Sequence, residues 1–124
     1  MINAPNFKLP STSGTFKLSD YLGKNIILYF YPRDNTKGCS MEANDFNKSL
    51  KIINENNAIV VGVSRDSIES HEKFRKKNKL KFDLLSDEKI TVLKKYNAWG
   101  FKKFLGKSYF GIIRTTVLIN DKGK

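Results

Sequence analysis

The chain holds one cysteine, Cys39, and one histidine, His71, in 124 residues. A single cysteine excludes an internal disulfide framework, and two such residues are too few for a structural zinc centre with Cys and His ligands. Long apolar runs are missing as well: the best, Ile26 to Tyr31 (IILYFY), is the length of a strand and far short of a membrane span. The N-terminal MINAPNFKLP lacks the basic-then-apolar pattern of a secretory signal, so a cytoplasmic location is expected and no membrane partner. No internal repeat or low-complexity linker interrupts the chain, and its length fits a single domain over residues 1–124. Acidic residues are scarce, 12 against 23 basic, which leaves a net charge of +11. Such a charge draws polyanions. Yet 19 of the 23 are Lys spread along the whole chain, and 12 Asn accompany them. That is a compositional bias rather than a binding patch, and no specific nucleic-acid partner is expected.

What is present alternates. NFKLPSTSGTFKLSDYLGKN, with Ser-Thr-Ser-Gly between two short apolar pieces, predicts a hairpin or wide turn. Asn25 to Pro32 is β-branched and aromatic at consecutive positions, which suits a strand buried on both faces and stopped by proline. Ala43, Phe46, Leu50 and Ile53 then recur at spacings of three and four, predicting one amphipathic helix over about Cys39 to Asn54. Ala58 to Ser64 is a second buried strand. Asp66 and Glu69 stand in capping-box spacing ahead of a second helix, whose basic run KFRKKNKLK reads as its wet face. FDLLSD predicts a short strand, DEKITVLKKYN a third helix, and Thr115 to Asp121 the last strand. Between them AWGFKKFLGKSYFGIIR reads as a glycine-punctuated aromatic loop with a short strand. Its Trp99, Phe101, Phe104 and Phe110 are expected to pack in the core, with a substrate-facing surface or an interface as the alternatives. This order predicts an α/β fold, helices flanking a central sheet.

Cys39 lies after a strand, past the polar turn RDNTKG and in the predicted first turn of a helix. A thiol reacts as its thiolate, and a free cysteine titrates near about 8.5. The unpaired N–H groups of a helix N-terminus favour the anion, and a nearby cation adds to this. Arg33 is close in sequence, and Arg114 is a candidate to arrive from afar. Buried inert cysteines are common. Here Thr36, Lys37, Gly38, Ser40 and Glu42 make a poor apolar pocket, which favours a reactive site. A Cys-x-x-Cys dithiol is absent, because Glu42 takes the fourth position. His71, inside a charged helical run, is expected to be a solvated residue rather than a base.

Pro32, Thr36 and Cys39 form P-x-x-x-T-x-x-C, which resembles the active-site signature of the peroxiredoxins. FYPRDNTKGCSMEANDF is most similar to the bacterioferritin comigratory protein, or peroxiredoxin Q, branch. The likeness extends through VVGVSRDSIESHEKF, LLSDEKITVLKKYNAWG and GIIRTTVLIND. It implies a thioredoxin-like fold with a central mixed sheet and a thiol-dependent reduction of hydrogen peroxide and organic hydroperoxides, without metal, haem or flavin cofactor. By resemblance Cys39 is the peroxidatic cysteine, oxidised to a sulfenic acid. Thr36 matches the threonine whose hydroxyl bonds sulfur and peroxide. Arg114 matches the arginine that holds the thiolate and polarises the peroxide, and Pro32 shields the site. Glu42 has two readings, a carboxylate orienting an arginine or a charge offsetting the helix dipole.

Two departures stand out. Many members carry a resolving cysteine five residues after the first; here that position is Asn44. The resemblance therefore implies a one-cysteine mechanism with an external reductant: thioredoxin, glutaredoxin or a small thiol. Relatives also continue beyond TTVLINDKGK with a strand and a helix, so an uncovered sheet edge is expected in a C-terminally short fold. The protein is expected to be a monomer or weak homodimer. The alternative function is a catalytically weak redox sensor or degenerate, truncated member. Only the charge speaks for a nucleic-acid-binding module.

Overall fold

The computed structural model describes residues 3–104 and 106–124, and of Phe104 the backbone alone. The elements run β1 (Lys8–Ser11), β2 (Gly14–Lys17), a 3-10 turn (Leu18–Tyr21), β3 (Asn25–Phe30), α1 (Lys37–Lys48), α2 (Leu50–Glu55), β4 (Ala58–Ser64), α3 (Ile68–Lys77), β5 (Asp83–Ser86), α4 (Thr91–Lys95), β6 (Trp99–Phe104), β7 (Lys107–Ile112) and β8 (Thr115–Ile119). Six strands form one mixed sheet in the order β2-β1-β5-β4-β3-β8. β3, β4 and β5 are parallel, while β8 joins β3 antiparallel and β1 joins β5 antiparallel. The remaining pair, β6 and β7, is a separate antiparallel hairpin.

The consecutive apolar residues of β3 explain its central place. Successive side chains of a strand point to opposite faces. Ile26, Leu28 and Phe30 enter a core with Val61, Val63, Leu85, Val92 and Leu93. Tyr29 and Tyr31 enter a second core beneath α1, α2 and α3, with Ala43, Leu50, Phe74 and Leu84. A residue polar at every second position would leave one of these layers unfilled.

Four expectations need correction. The helix predicted from Cys39 to Asn54 starts at Lys37 and divides at Ser49, whose N–H is shared between the carbonyls of Asp45 and Phe46. Its apolar face survives the break, since Ala43, Phe46, Leu50 and Ile53 all meet the second core. The second helix is capped by Ser67, whose hydroxyl oxygen accepts from the Ser70 N–H, and not by the Asp66–Glu69 box. The third helix is shorter than the DEKITVLKKYN segment, a single turn over Thr91–Lys95. The aromatic loop is mostly a hairpin turned by Gly106 at φ 78°. Trp99 packs on the core, but Phe101 and Phe110 are 58% and 67% exposed and stack edge-to-face on each other. The side chain of Phe104 lies outside the described residues.

β8 is an edge strand, and its Leu118, opposite Ile27 in register, is 73% exposed. No helix among the described residues is long and apolar enough to cross a membrane.

Candidate active site

The parallel strands deliver their C-terminal ends to one side of the sheet, where sites of α/β folds collect. The turn that leaves β3 there runs from Pro32 to Thr36 and enters α1. Thr36 is the N-cap, extended at φ −82° and ψ 153°, and its carbonyl accepts the first helical bond from Ser40. Its side chain does not cap the helix; the hydroxyl donates to the Arg33 carbonyl at 2.9 Å and closes the turn. The first-turn N–H groups of α1 therefore keep their partial positive charge uncapped by a side chain, and Cys39 is the third residue of that turn.

Sheet register brings the cation. Phe30 pairs with Thr115 across β3 and β8, so the residue just before β8, Arg114, stands beside the exit of β3 although it is 75 positions from Cys39. Its Nη2 donates to Cys39 Sγ at 3.1 Å and its Nη1 to Glu42 Oε1 at 2.5 Å. One guanidinium thus spans sulfur and carboxylate, using the planar fork that suits arginine and not lysine. Burial alone pulls the Arg114 pKa down; the hydrogen bond and charge of Cys39, with those of Glu42, outweigh it and hold the guanidinium above its ordinary value.

Cys39 is itself buried, 1% exposed, among Tyr29, Tyr31 and Ala43. This corrects the expectation that polar neighbours deny it an apolar pocket. The neighbours in sequence face solvent, while the walls come from β3 and from α1 one turn on. The Arg114 donor nevertheless reaches the buried sulfur, a charged partner that an inert buried thiol would not need. Pro32 is half-buried at the head of the turn. Arg33 is exposed, and it is Arg114 that reaches the sulfur. Of the two readings of Glu42, the orienting carboxylate is the one the geometry realises. Asn44, at the resolving position, donates its side-chain amide to Asn78.

His71 departs most from expectation. It is fully buried, with Nδ1 2.8 Å from Asp34 Oδ2 and Nε2 2.8 Å from the Leu85 carbonyl. Its i, i+3 spacing to Ile68 and Phe74 places it on the inner stripe of α3, a signal the surrounding charges mask. Asp34, Ser70 and Asp66, which share this network, are likewise residues the motif does not mark. Tyr29 contributes a buried hydroxyl without a hydrogen-bond partner among the described residues. Burial, then the charges of Glu42 and Cys39, push its pKa well up.

Residues 2–124 match the model of the AhpC/TSA family. The chain is 47% identical over 122 residues to peroxiredoxin Bcp of Bacillus subtilis, covering 98% of this chain and 78% of that one. It is 38% identical to peroxiredoxin Bcp of Escherichia coli K12, with the same coverage. Among solved structures, the bacterioferritin comigratory protein of Xanthomonas campestris, described for alkyl peroxide reduction, superposes with a TM-score of 0.89 at 34% identity. That match covers 95% of this chain and 76% of the other.

Proposed function

The chain belongs to the AhpC/TSA family, among the Bcp-type peroxiredoxins with a thioredoxin-like fold, and is a thiol-dependent peroxidase; from that premise we propose that Cys39 is its peroxidatic nucleophile and Arg114 the group that activates it. The observation that carries the proposal is the guanidinium bridging Cys39 Sγ and Glu42 at the open N-terminus of α1. The thiolate attacks the terminal oxygen of the hydroperoxide. The O–O bond breaks, the sulfur is oxidised to the sulfenic acid, and the leaving oxygen departs with a proton as water or alcohol. Charge moves from sulfur to that oxygen, and a donor already aimed there lowers the barrier. Thr36 stands at the N-cap with oxygen lone pairs free to accept from the peroxide, and Pro32 shields the turn. The alkyl peroxide reduction described for the X. campestris relative supports organic hydroperoxides as substrates beside hydrogen peroxide.

These 124 residues contain no second thiol. The sulfenic acid condenses with an external thiol, releasing water, and a second thiol reduces the mixed disulfide to regenerate Cys39. A dithiol protein such as thioredoxin or glutaredoxin, or two molecules of a small thiol, completes the balance. We place this chemistry in one domain over residues 1–124, acting as a monomer or weak homodimer in the cytoplasm. The test is intact-mass spectrometry over seconds after one equivalent of hydrogen peroxide, with a sulfenic-acid trap. The parent acquires one trap adduct, and Cys39→Ser acquires none and consumes no peroxide. Peroxide consumption by the Ser variant at the parent's rate would sink the assignment.

A further inference from the structure

Seven residues separate Tyr31 from Cys39, and only one of them, Asp34, is buried. Its carboxylate is the point at which the exposed turn enters the protein. Three groups converge on it, one just past β3 and two on α3: the Tyr31 hydroxyl donates to Oδ1 at 2.6 Å, the Ser70 hydroxyl donates to Oδ2 at 2.8 Å, and His71 Nδ1 lies 2.8 Å from Oδ2. The Asp34 N–H donates to Asp66 Oδ2 at 2.9 Å, an oxygen that also accepts from the Ser64 hydroxyl at the end of β4. His71 Nε2 faces the Leu85 carbonyl of β5. The turn is thereby tied to the ends of β3, β4 and β5 and to the first turns of α3.

Three oxygens face the His71 ring: the Asp34 carboxylate at 2.8 Å and the Tyr31 hydroxyl at 3.3 Å on Nδ1, and the Leu85 carbonyl at 2.8 Å on Nε2. Asp34, Asp66 and His71 lie within 4.8 Å of one another, the spacing of a metal cluster, yet each already shares hydrogen bonds with its neighbours. None of these side chains bonds Cys39, so none is a catalytic residue.

We propose that the buried Asp34–His71 pair, with the Tyr31 and Ser70 hydroxyls, is a positioning device for the peroxide-reacting turn, holding Pro32, Thr36 and the first turn of α1 in register with Arg114. It rests on the peroxidase reading above and extends it to residues outside the signature. The physical case is one of accuracy: a reacting centre loses rate when its supports let it drift, and the exposed turn has no other buried side chain.

Asp34 and His71 variants risk unfolding, because each leaves buried polar partners unsatisfied. The test therefore trims the outer hydroxyls. Trap-based sulfenylation rates are measured for the parent, Tyr31→Phe, Ser70→Ala, Ser70→Thr and the exposed control Glu72→Gln, each well below its melting midpoint. Tyr31→Phe and Ser70→Ala each react about fivefold more slowly, since each removes one hydrogen bond to a charged group whose effect reaches the sulfur in part. Ser70→Thr, which restores the hydroxyl, and Glu72→Gln react like the parent. Parent-like rates in both trimmed variants, or Ser70→Thr as slow as Ser70→Ala, overturn the proposal. A parent that forms no sulfenic acid sinks the peroxidase reading and with it the positioning role.

Discussion

Arg114 offers the sharpest test of how this site works. In Arg114→Met the side chain keeps much of its length and loses the donor that sits 3.1 Å from Cys39 Sγ. A hydrogen bond to a charged group contributes about 1.5–3 kcal/mol. The Arg114 side chain is 40% exposed, so solvent screens the interaction and the lower end applies, about 1.5 kcal/mol. At about 1.4 kcal/mol per factor of ten, that contact alone is about tenfold in the rate of sulfenic acid formation. If the same guanidinium also stabilises charge on the departing oxygen, the loss grows toward about a hundredfold. Arg114→Lys retains the charge but not the fork that reaches Cys39 and Glu42 together, so its rate falls between Met and parent. The assay is the time course of the trap adduct by intact mass at a fixed peroxide concentration. A Met variant that reacts as fast as the parent would refute the reasoning, because the cation bonded to the sulfur would then be idle. A Lys variant slower than Met would show that the fork geometry has been misread.

Two further outcomes follow from buried polar groups. The Tyr29 hydroxyl has no partner among the described residues, so Tyr29→Phe removes an unsatisfied group and stabilises the fold by about 1 kcal/mol, read by chemical denaturation, with the peroxide rate unchanged; a lower midpoint contradicts the assignment. Burial raises the Asp87 carboxyl, against backbone N–H groups of Leu93, Val92 and Thr91 that lower it. A folded value above the unfolded one contributes stability that is fully present below the unfolded value and is lost as pH rises through the folded value. Asp87→Asn keeps an acceptor for the Leu93 N–H, so it melts above the parent at neutral pH, and the difference shrinks as the pH falls through the carboxylate range; a difference independent of pH counts against this.

The parts that were legible in the sequence are those that local chemistry decides. The apolar run through β3 announces burial on both faces, and the Pro32–Thr36–Cys39 spacing places a thiol at a helix start, because strand period and helix entry act over a few residues. Arg114 is different. Nothing within ten positions ties it to Cys39; only the pairing of Phe30 with Thr115 does, and the family resemblance stands in for that register. His71 escapes for a related reason. Its neighbours Glu69, Glu72 and Lys73 make its segment read as a solvated face, whereas a helix has two faces and the three-residue step from Ile68 through His71 to Phe74 marks the inner one. A charged neighbourhood in sequence is thus weak evidence of exposure for a residue that can itself be charged and paired. The same logic misplaces Cys39, whose sequence neighbours are polar while its spatial neighbours are Tyr29, Tyr31 and Ala43. In both cases the missing information is the partner, Arg114 for the thiol and Asp34 for the imidazole. Partners are what allow a polar or ionisable group to be buried at all. Where a lone Cys or His falls on the apolar stripe of a helix, the better question is therefore which distant side chain meets it, and sheet register is what supplies the answer.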